Sequence, residues 1–309
     1  MGNNSLVYYL PDGMSPDDIE KVLPELEYSL GKHIEIETKG KAVILNLYEK
    51  ELPGEVEYKL IQYPKMLLPV QVGLSRKKME VFDMSHDGHV YMLVTGPQGT
   101  GKSTALNGIL NTLLSQDHMS PALLNLYPVD LKMGNELGYL ADSPYTAMTC
   151  FDPETKDLDI MIETLRQEVR HRMDLFTQHK VKKIAQYNKL KGVEKLPYML
   201  LVIDEYAEVQ QMGKEIEPKL MRLMMIGRAA GLRVIICCLR AVADVLNSNI
   251  KSLLLDRLVF AQVDKINSRV AMDVGGAEKL PKIAGRGILA SGPDLTEVQV
   301  ANYQEPGES

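Results

Sequence analysis

A short glycine-rich segment has the residue types and spacing for binding phosphate. Residues 96–104 read Gly-Pro-Gln-Gly-Thr-Gly-Lys-Ser-Thr, directly after the apolar run 90–94 and before apolar residues at helical spacing. The spacing Gly-x-x-x-x-Gly-Lys-Ser is the P-loop pattern, in which glycines allow a sharp turn and several backbone N–H groups face one point. The predicted nucleotide-binding residues of this segment are Gly96, Pro97, Gln98, Gly99, Thr100, Gly101, Lys102, Ser103 and Thr104.

Two side chains of this segment have specific predicted roles. Lys102 is expected to reach the β- and γ-phosphates, and the Ser103 hydroxyl is expected to ligate magnesium. The helix that begins near Lys102 adds the positive end of its dipole. ATP and Mg²⁺ are therefore the predicted cofactors. The alternative is a glycine-rich turn before an ordinary helix, but the strand before it and the helix after it both favour the P-loop.

Two acidic residues about a hundred positions after the P-loop supply the carboxylate side chains that hydrolysis of a nucleoside triphosphate needs. The apolar run 199–203 is followed by Asp204 and Glu205. A buried strand that ends in Asp places a carboxylate at the carboxyl edge of a parallel sheet, beside the P-loop. We expect Asp204 to hold magnesium, through water, and Glu205 to orient and deprotonate the attacking water. An apolar strand that ends in two acids is common by chance, so this prediction depends on the P-loop upstream.

Composition limits the class of protein. The chain has 309 residues, of which 45% are hydrophobic and 25% charged, the balance of a globular protein. Its formal net charge of −6 argues against a chain that coats nucleic acid over its whole surface, but it allows a local basic path. Cys237 and Cys238 lie inside an apolar run and predict buried thiols in a reducing cytosol. We find no signal peptide and no apolar run near the ~18 residues that span a bilayer, which predicts a cytoplasmic location.

The first part of the chain predicts a small α+β domain over residues 1–62. An apolar segment at 6–10 precedes a helix that Ser15 caps, that has Pro16 at its first position and that Gly31 ends. Two strands are predicted to follow, at 33–38 and 42–48.

The rest of the chain, residues 63–309, predicts an α/β domain. Nearly continuous apolar strands alternate with helices, which is typical of a mostly parallel sheet covered on both faces. The predicted strands lie at 123–129, 198–203, 233–239 and 258–263, the helices at 158–180 and 215–230, and a closing pair of strands at 287–291 and 297–301.

Six further landmarks occur in the order of a known family. They are residues 128–132 (Pro-Val-Asp-Leu-Lys), 170–176 (Arg-His-Arg-Met-Asp-Leu-Phe) with 184–188 (Ile-Ala-Gln-Tyr-Asn), 204–208 (Asp-Glu-Tyr-Ala-Glu), 227–233 (Gly-Arg-Ala-Ala-Gly-Leu-Arg), 274–280 (Val-Gly-Gly-Ala-Glu-Lys-Leu) and 285–289 (Gly-Arg-Gly-Ile-Leu). With the P-loop, these landmarks make residues 65–303 resemble the motor of FtsK/SpoIIIE-type DNA translocases. None is specific by itself; their order carries the resemblance.

The resemblance implies a RecA-like P-loop NTPase core that couples ATP hydrolysis to movement along double-stranded DNA, assembled as a homo-oligomeric ring, a hexamer. The small first domain resembles the one that precedes the motor in proteins of conjugative and other mobile elements. This implies a role in DNA transfer or maintenance of such an element, with a relaxase or a membrane channel as partner.

The resemblance also implies an arginine from a neighbouring subunit and a loop near the nucleotide. The candidate arginines are Arg228, Arg257 and Arg269, each of which could equally be a surface or salt-bridge residue. Gly275 and Gly276 are predicted to let the backbone pass close to the base or ribose; the alternative is a plain turn.

One departure from the family pattern keeps alternative functions open. The family has Thr-Gln-Arg-Pro where this chain has Cys238, Leu239, Arg240 and Ala241, so a glutamine implied to sense the γ-phosphate is missing. A regulatory ATP-binding protein with weak hydrolysis is therefore one alternative. A protein-export motor is another, although a single P-loop and the lack of a membrane anchor favour DNA. Nine Lys and Arg between 166 and 195 predict a solvated surface or a phosphate-tracking one.

Overall fold

The structure, a computed structural model, describes residues 4–40, 42–48, 51–240 and 245–304. The chain divides into a small unit, residues 1–53 with 76–78, and a large unit, residues 54–75 with 79–309. Ala241, the last residue of the segment compared with Thr-Gln-Arg-Pro, lies outside the described residues. In the described part, no helix has the length and apolar character required to cross a membrane.

The small unit packs one helix with a three-stranded antiparallel sheet of order β1-β3-β2. Helix α1 ends where Gly31 adopts φ 59°, a left-handed conformation that favours glycine. Ile34 and Val43 are buried, and the backbone N–H of Ile34 donates to Glu27 at 2.8 Å. The elements follow the order that the sequence predicts and are β1 Asn4–Tyr9, α1 Pro16–Leu30, β2 His33–Lys39 and β3 Ala42–Tyr48.

The large unit is built on a sheet that, in the described residues, has nine strands in the order β5-β4-β12-β11-β10-β6-β9-β8-β7. From β10 to β7 the neighbours are parallel, and from β10 to β5 they are antiparallel. The strands are β4 Pro69–Leu74, β5 Met79–Asp83, β6 Tyr91–Thr95, β7 Leu124–Val129, β8 Tyr198–Ile203, β9 Leu232–Cys238, β10 Asp256–Phe260, β11 Arg286–Ser291 and β12 Asp294–Gln299.

Helices cover both faces of the parallel part, as the sequence predicts. Alternate residues of β6 show this, because Leu93 belongs to the apolar cluster that includes residues of α3 and α6, whereas Met92 and Val94 belong to the cluster that includes α2. The helices are α2 Lys102–Leu114, α3 Asp157–Gln178, α4 Ile184–Tyr187, α5 Tyr206–Gln211, α6 Ile216–Ala230, α7 Ser248–Leu253 and α8 Lys265–Met272, with 3₁₀ turns at Gly138–Leu140 and Ala277–Lys279.

Two features of the large unit differ from the sequence-based description. The hairpin β4–β5 was not predicted; its Gly73 lies so close to β12 that an added Cβ would be 2.8 Å from the Gln299 carbonyl oxygen. Residues 54–62, grouped by sequence with the small domain, belong to the large unit. There the Tyr58 hydroxyl is 2.9 Å from the Thr112 hydroxyl, and the N–H of Asn302 donates to Val56 O at 2.7 Å.

Candidate nucleotide-binding site

The sheet order brings four strand ends together at one edge. Strands β6, β9, β8 and β7 are adjacent and parallel, with Thr95 paired to Cys238, and Ile203 paired to both Ile236 and Val129. The carboxyl ends of parallel strands meet at the same edge. The P-loop, the end of β9, the acidic pair 204–205 and Asp130 therefore lie side by side.

The P-loop is shaped by three glycines in different ways. Gly99 and Gly101 have φ values of 76° and 104°, which side-chain-bearing residues rarely adopt, and Gly101 caps α2. Gly96 is needed for space: an added Cβ would lie 2.6 Å from the Cβ of Phe260 in β10. The N–H of Gly285 donates to the Thr100 carbonyl at 2.9 Å and holds the loop from the other side.

Lys102 lies at the first position of α2, half-buried, and its Nζ donates to the Pro97 carbonyl at 3.3 Å. Burial lowers the pKa of its ammonium group, and the nearby carboxylates of Glu205 and Asp204 oppose that shift. The lysine is therefore within electrostatic reach of both predicted catalytic acids. A nucleotide phosphate would supply further negative charge that keeps it protonated.

Glu205 is buried and is the cap residue of α5. Its Oε1 accepts the N–H of Leu239 at 3.3 Å and that of Ala207 at 3.4 Å. Burial raises the pKa of this carboxyl group, and the two N–H donors oppose the shift. The N–H of Gly96 donates to the carbonyl of Cys238 at 3.4 Å, so adjacent residues at the end of β9 contact both the P-loop and Glu205.

Asp204 has an environment that suits a bound cation. It is 8% exposed, and its carboxylate receives no hydrogen bond from the described residues. Burial, then the neighbouring charge of Asp130, raises its pKa to about 7, while Lys132 opposes the shift. The hydroxyl of Ser103, the other predicted ligand, also has no hydrogen-bond partner in the described part of the chain. A hydroxyl and a carboxylate are oxygen ligands of the kind Mg²⁺ takes together with nucleotide phosphates, so these residues fit the predicted ion.

Asp130 is a buried residue whose role the sequence did not reveal. It follows β7 and is 0% exposed. Its carboxylate accepts hydrogen bonds from the N–H groups of Lys132 at 3.1 Å, Glu136 at 2.7 Å and Leu137 at 3.0 Å. These bonds hold the loop of residues 132–137 close to the end of β7. The resemblance singled out residues 128–132, but nothing in the pattern indicated this contact. Phe260 and Gly285 were missed because their contacts with the P-loop come from distant segments.

The candidate arginines lie in three different environments. Arg257, at the start of β10, is 8% exposed, donates to Asp273 at 2.6 Å and also donates to backbone carbonyls, which favours the structural alternative. Arg228, at the end of α6, is exposed and donates to the Asp87 carbonyl. Arg269 is exposed on α8, and its side chain has no partner among the described residues.

Residues 275 and 276 form a turn that is held by local contacts. The N–H of Gly276 donates to Oε2 of Glu278 at 2.8 Å, and Gly276 has φ 137°. These contacts favour the plain-turn alternative over contact with base or ribose. Leu239 is 39% exposed, and its contact with Glu205 is made by its backbone.

Residues 55–243, more than half of the chain, match the FtsK/SpoIIIE family. The DNA translocase FtsK of Helicobacter pylori (strain J99) is 34% identical over 210 residues, 67% of this chain and 24% of that protein. The DNA translocase FtsK of Clostridium tetani is 35% identical over 205 residues, 65% of this chain and 27% of that protein. The chain thus spans about a quarter of the length of these relatives.

Solved structures share the fold. The conjugation coupling protein TcpA of pCW3, in a monomer form with ATPγS, matches with a TM-score of 0.75 and 23% identity over 97% of this chain and 85% of that one. EssC from Geobacillus thermodenitrificans (ATPases 2 and 3) matches with a TM-score of 0.71 and 20% identity, over 83% of this chain and 49% of that one. The family match, the P-loop and the RecA-like sheet together show that this chain belongs to the FtsK/SpoIIIE family of P-loop ATPases.

Proposed function

We propose that this chain is an ATP-driven motor that moves double-stranded DNA. The observation that carries the proposal is the bridge at the end of β9, where Cys238 accepts the N–H of Gly96 and the next residue, Leu239, donates to Glu205. Through this bridge, β9 connects the Glu205 carboxylate, which follows β8, to the phosphate-binding loop, which follows β6. The arrangement suits attack of water on a terminal phosphate.

In this mechanism each residue has a separate task. Backbone N–H groups of the P-loop and the ammonium of Lys102 bind the phosphates, and Ser103 and Asp204 hold the magnesium ion. The ion, when bound, neutralises charge on the phosphates. Glu205 orients the attacking water and takes its proton, which the raised pKa of its carboxyl group favours.

A neighbouring subunit would complete the site in a homo-oligomeric ring, which we propose to be a hexamer. Of the three candidate arginines, Arg269 supports this role best, because it is exposed and unpartnered in the described part of the chain. Its helix follows β10, whose last residue, Phe260, packs against the P-loop. Arg228 is the second choice, since its side chain is exposed and donates to a backbone carbonyl.

The substrate and the setting are proposed from the relatives. Those that match by sequence are DNA translocases, and TcpA, which shares the fold, is a conjugation coupling protein. We therefore propose cytoplasmic action on DNA during transfer or maintenance of a mobile element, with a relaxase or membrane channel as partner.

The test is the ATPase rate of the full chain with and without long duplex DNA. We expect stimulation by DNA, loss of nucleotide binding in Lys102→Ala, and a rate about 10²- to 10⁴-fold lower with binding retained in Glu205→Gln. Glu208→Gln, in the first turn of the helix that Glu205 caps, is the matched control and should resemble the wild type. Stimulation by a secreted polypeptide and not by DNA would instead support a protein-export motor, and an unchanged rate in Lys102→Ala would reject the nucleotide site.

A further inference from the structure

The segment between α3 and β8 concentrates positive charge in an acidic protein. Residues 179–195, here called the lysine loop, contain six lysines and one glutamate, whereas the whole chain has a formal net charge of −6. Soluble surfaces usually intersperse both signs of charge. A loop of nearly one sign therefore indicates a surface shaped for an anionic partner.

The lysine loop lies far from the nucleotide site. It precedes β8, and Lys183 forms an ion pair with Asp87 at 2.5 Å, shortly before β6 begins. The loop is thus at the amino edge of the parallel strands, whereas the P-loop follows β6 at the carboxyl edge. Strand β6 has five residues, so the lysine loop and the P-loop are separated by about 16 Å, at roughly 3.3 Å per residue.

Hydrogen bonds connect the lysine loop and the residues that follow it to the rest of the large unit. Arg172, 2% exposed, donates to the carbonyls of Pro197 at 2.7 Å and Ala230 at 2.9 Å. The side chain of Asn188 donates to the Leu196 carbonyl at 2.8 Å and accepts the Leu196 N–H at 3.0 Å. These bonds hold the backbone where the loop leads into β8, so the lysines are attached to an ordered part of the large unit.

Most lysines of the loop are exposed, and four of them are available to bind an anionic partner. Four of them are exposed and have no side-chain partner in the described part of the chain: Lys180, Lys182, Lys189 and Lys191. The other two, Lys183 and Lys195, are engaged with Asp87 and with backbone carbonyls. Unpaired ammonium groups are point charges suited to phosphates.

We propose that the lysine loop is a DNA-backbone contact surface, separate from the ATP site, that grips duplex DNA without reading its sequence. The inference rests on the proposed DNA motor function. Phosphate contacts from lysine carry no base information, as a translocating protein requires. A membrane is less suitable, because membrane-binding surfaces combine cations with exposed apolar residues. No large hydrophobic residue of the loop is exposed, and Ile184 and Tyr187 are buried.

The experiment measures binding of the full chain to a fluorescent duplex at several salt concentrations. The variant Lys180→Gln/Lys182→Gln/Lys191→Gln should lower the slope of log K against log salt by about 2.7, since each lost phosphate contact removes about 0.9. Affinity at low salt should fall at least about tenfold. ATP-analogue affinity and the ATPase rate without DNA should not change. The matched control replaces three exposed lysines elsewhere, in Lys65→Gln/Lys156→Gln/Lys214→Gln.

The outcomes separate this inference from the proposed function. Wild-type binding and stimulation by duplex, with an unchanged slope in the lysine-loop variant, would overturn the inference alone. A variant that loses binding to anionic phospholipid vesicles but not to duplex would assign the surface to a membrane. A wild-type chain that neither binds duplex nor responds to it would overturn both proposals.

Discussion

Replacing Gly96 by alanine tests whether packing sets the shape of the P-loop. The new Cβ would lie 2.6 Å from the Cβ of Phe260 and 2.8 Å from the Thr100 hydroxyl, whereas ordinary contacts are 3.4–4 Å. The Phe260 Cβ is fixed to the backbone of β10, so it cannot turn away. The loop must therefore move by roughly 1 Å, the amount by which the contact is too short.

The size of the effect follows from the cost of overpacking. Inserting a methyl group into a filled space costs about 1–3 kcal/mol. At about 1.4 kcal/mol per factor of ten, this corresponds to about a 5- to 140-fold change in an equilibrium constant. Because the displaced N–H groups are those predicted to bind phosphate, we expect most of the cost to appear as weaker ATP binding and the rest as lower stability.

The assay is titration with a fluorescent ATP analogue, together with thermal unfolding. Gly138→Ala is the matched control, since an added Cβ there meets nothing within 4 Å and Gly138 does not have a positive φ. The control should bind nucleotide like the wild type. Affinity within twofold of the wild type in Gly96→Ala, with an unchanged Tm, would refute the packing argument.

Three further predictions test other parts of the large unit. Arg269→Ala should lower the DNA-stimulated ATPase rate about 10³-fold or more without unfolding the protein. Arg257→Ala should instead lower Tm because it breaks a buried hydrogen-bond network. The opposite pattern would make Arg257, and not Arg269, the arginine that acts on a neighbouring subunit. Leu239→Gln should raise the ATPase rate if the missing side chain weakens hydrolysis, and an unchanged rate would show that the backbone contact with Glu205 suffices. Burial alone would raise the pKa of Asp83, but hydrogen bonds from Ser85 and from backbone N–H groups lower it overall. Its stabilising effect should be complete above about pH 4 and lost as the pH falls through the lowered folded pKa, so the Tm difference between wild type and Asp83→Asn should shrink in acid; a difference independent of pH would contradict this.

Local patterns predicted the parts of the site that depend on short stretches of chain. The P-loop and the strand ending at Asp204 were recognisable because phosphate binding and strand burial each leave a pattern within about ten residues. The position of Glu205 relative to the P-loop also followed from the rule that parallel strands end at one edge. The predicted catalytic roles of these residues stay predictions.

Contacts between distant segments were not predictable from the same patterns. The pairing of β4 with β12 requires Gly73 to face Gln299, and no local pattern indicates a partner so far along the chain. Likewise, the sequence gives Arg257 and Arg269 the same status, although one is buried in a network and the other is exposed. Burial of a charged side chain depends on the assembled fold.

Strand β9 runs between the end of the sheet near the lysine loop and the nucleotide-binding site. At its beginning, Arg233 is 1% exposed and donates to the carbonyls of Met84 and Ser85. Shortly before the strand, the carbonyl of Ala230 accepts a hydrogen bond from Arg172, which also binds the carbonyl of Pro197 after the lysine loop. At its end, the strand touches the P-loop and Glu205. Because β9 is hydrogen-bonded to β6 on one side and to β8 on the other, a displacement of its first residues along the strand axis would also displace the backbone groups that contact the P-loop and Glu205.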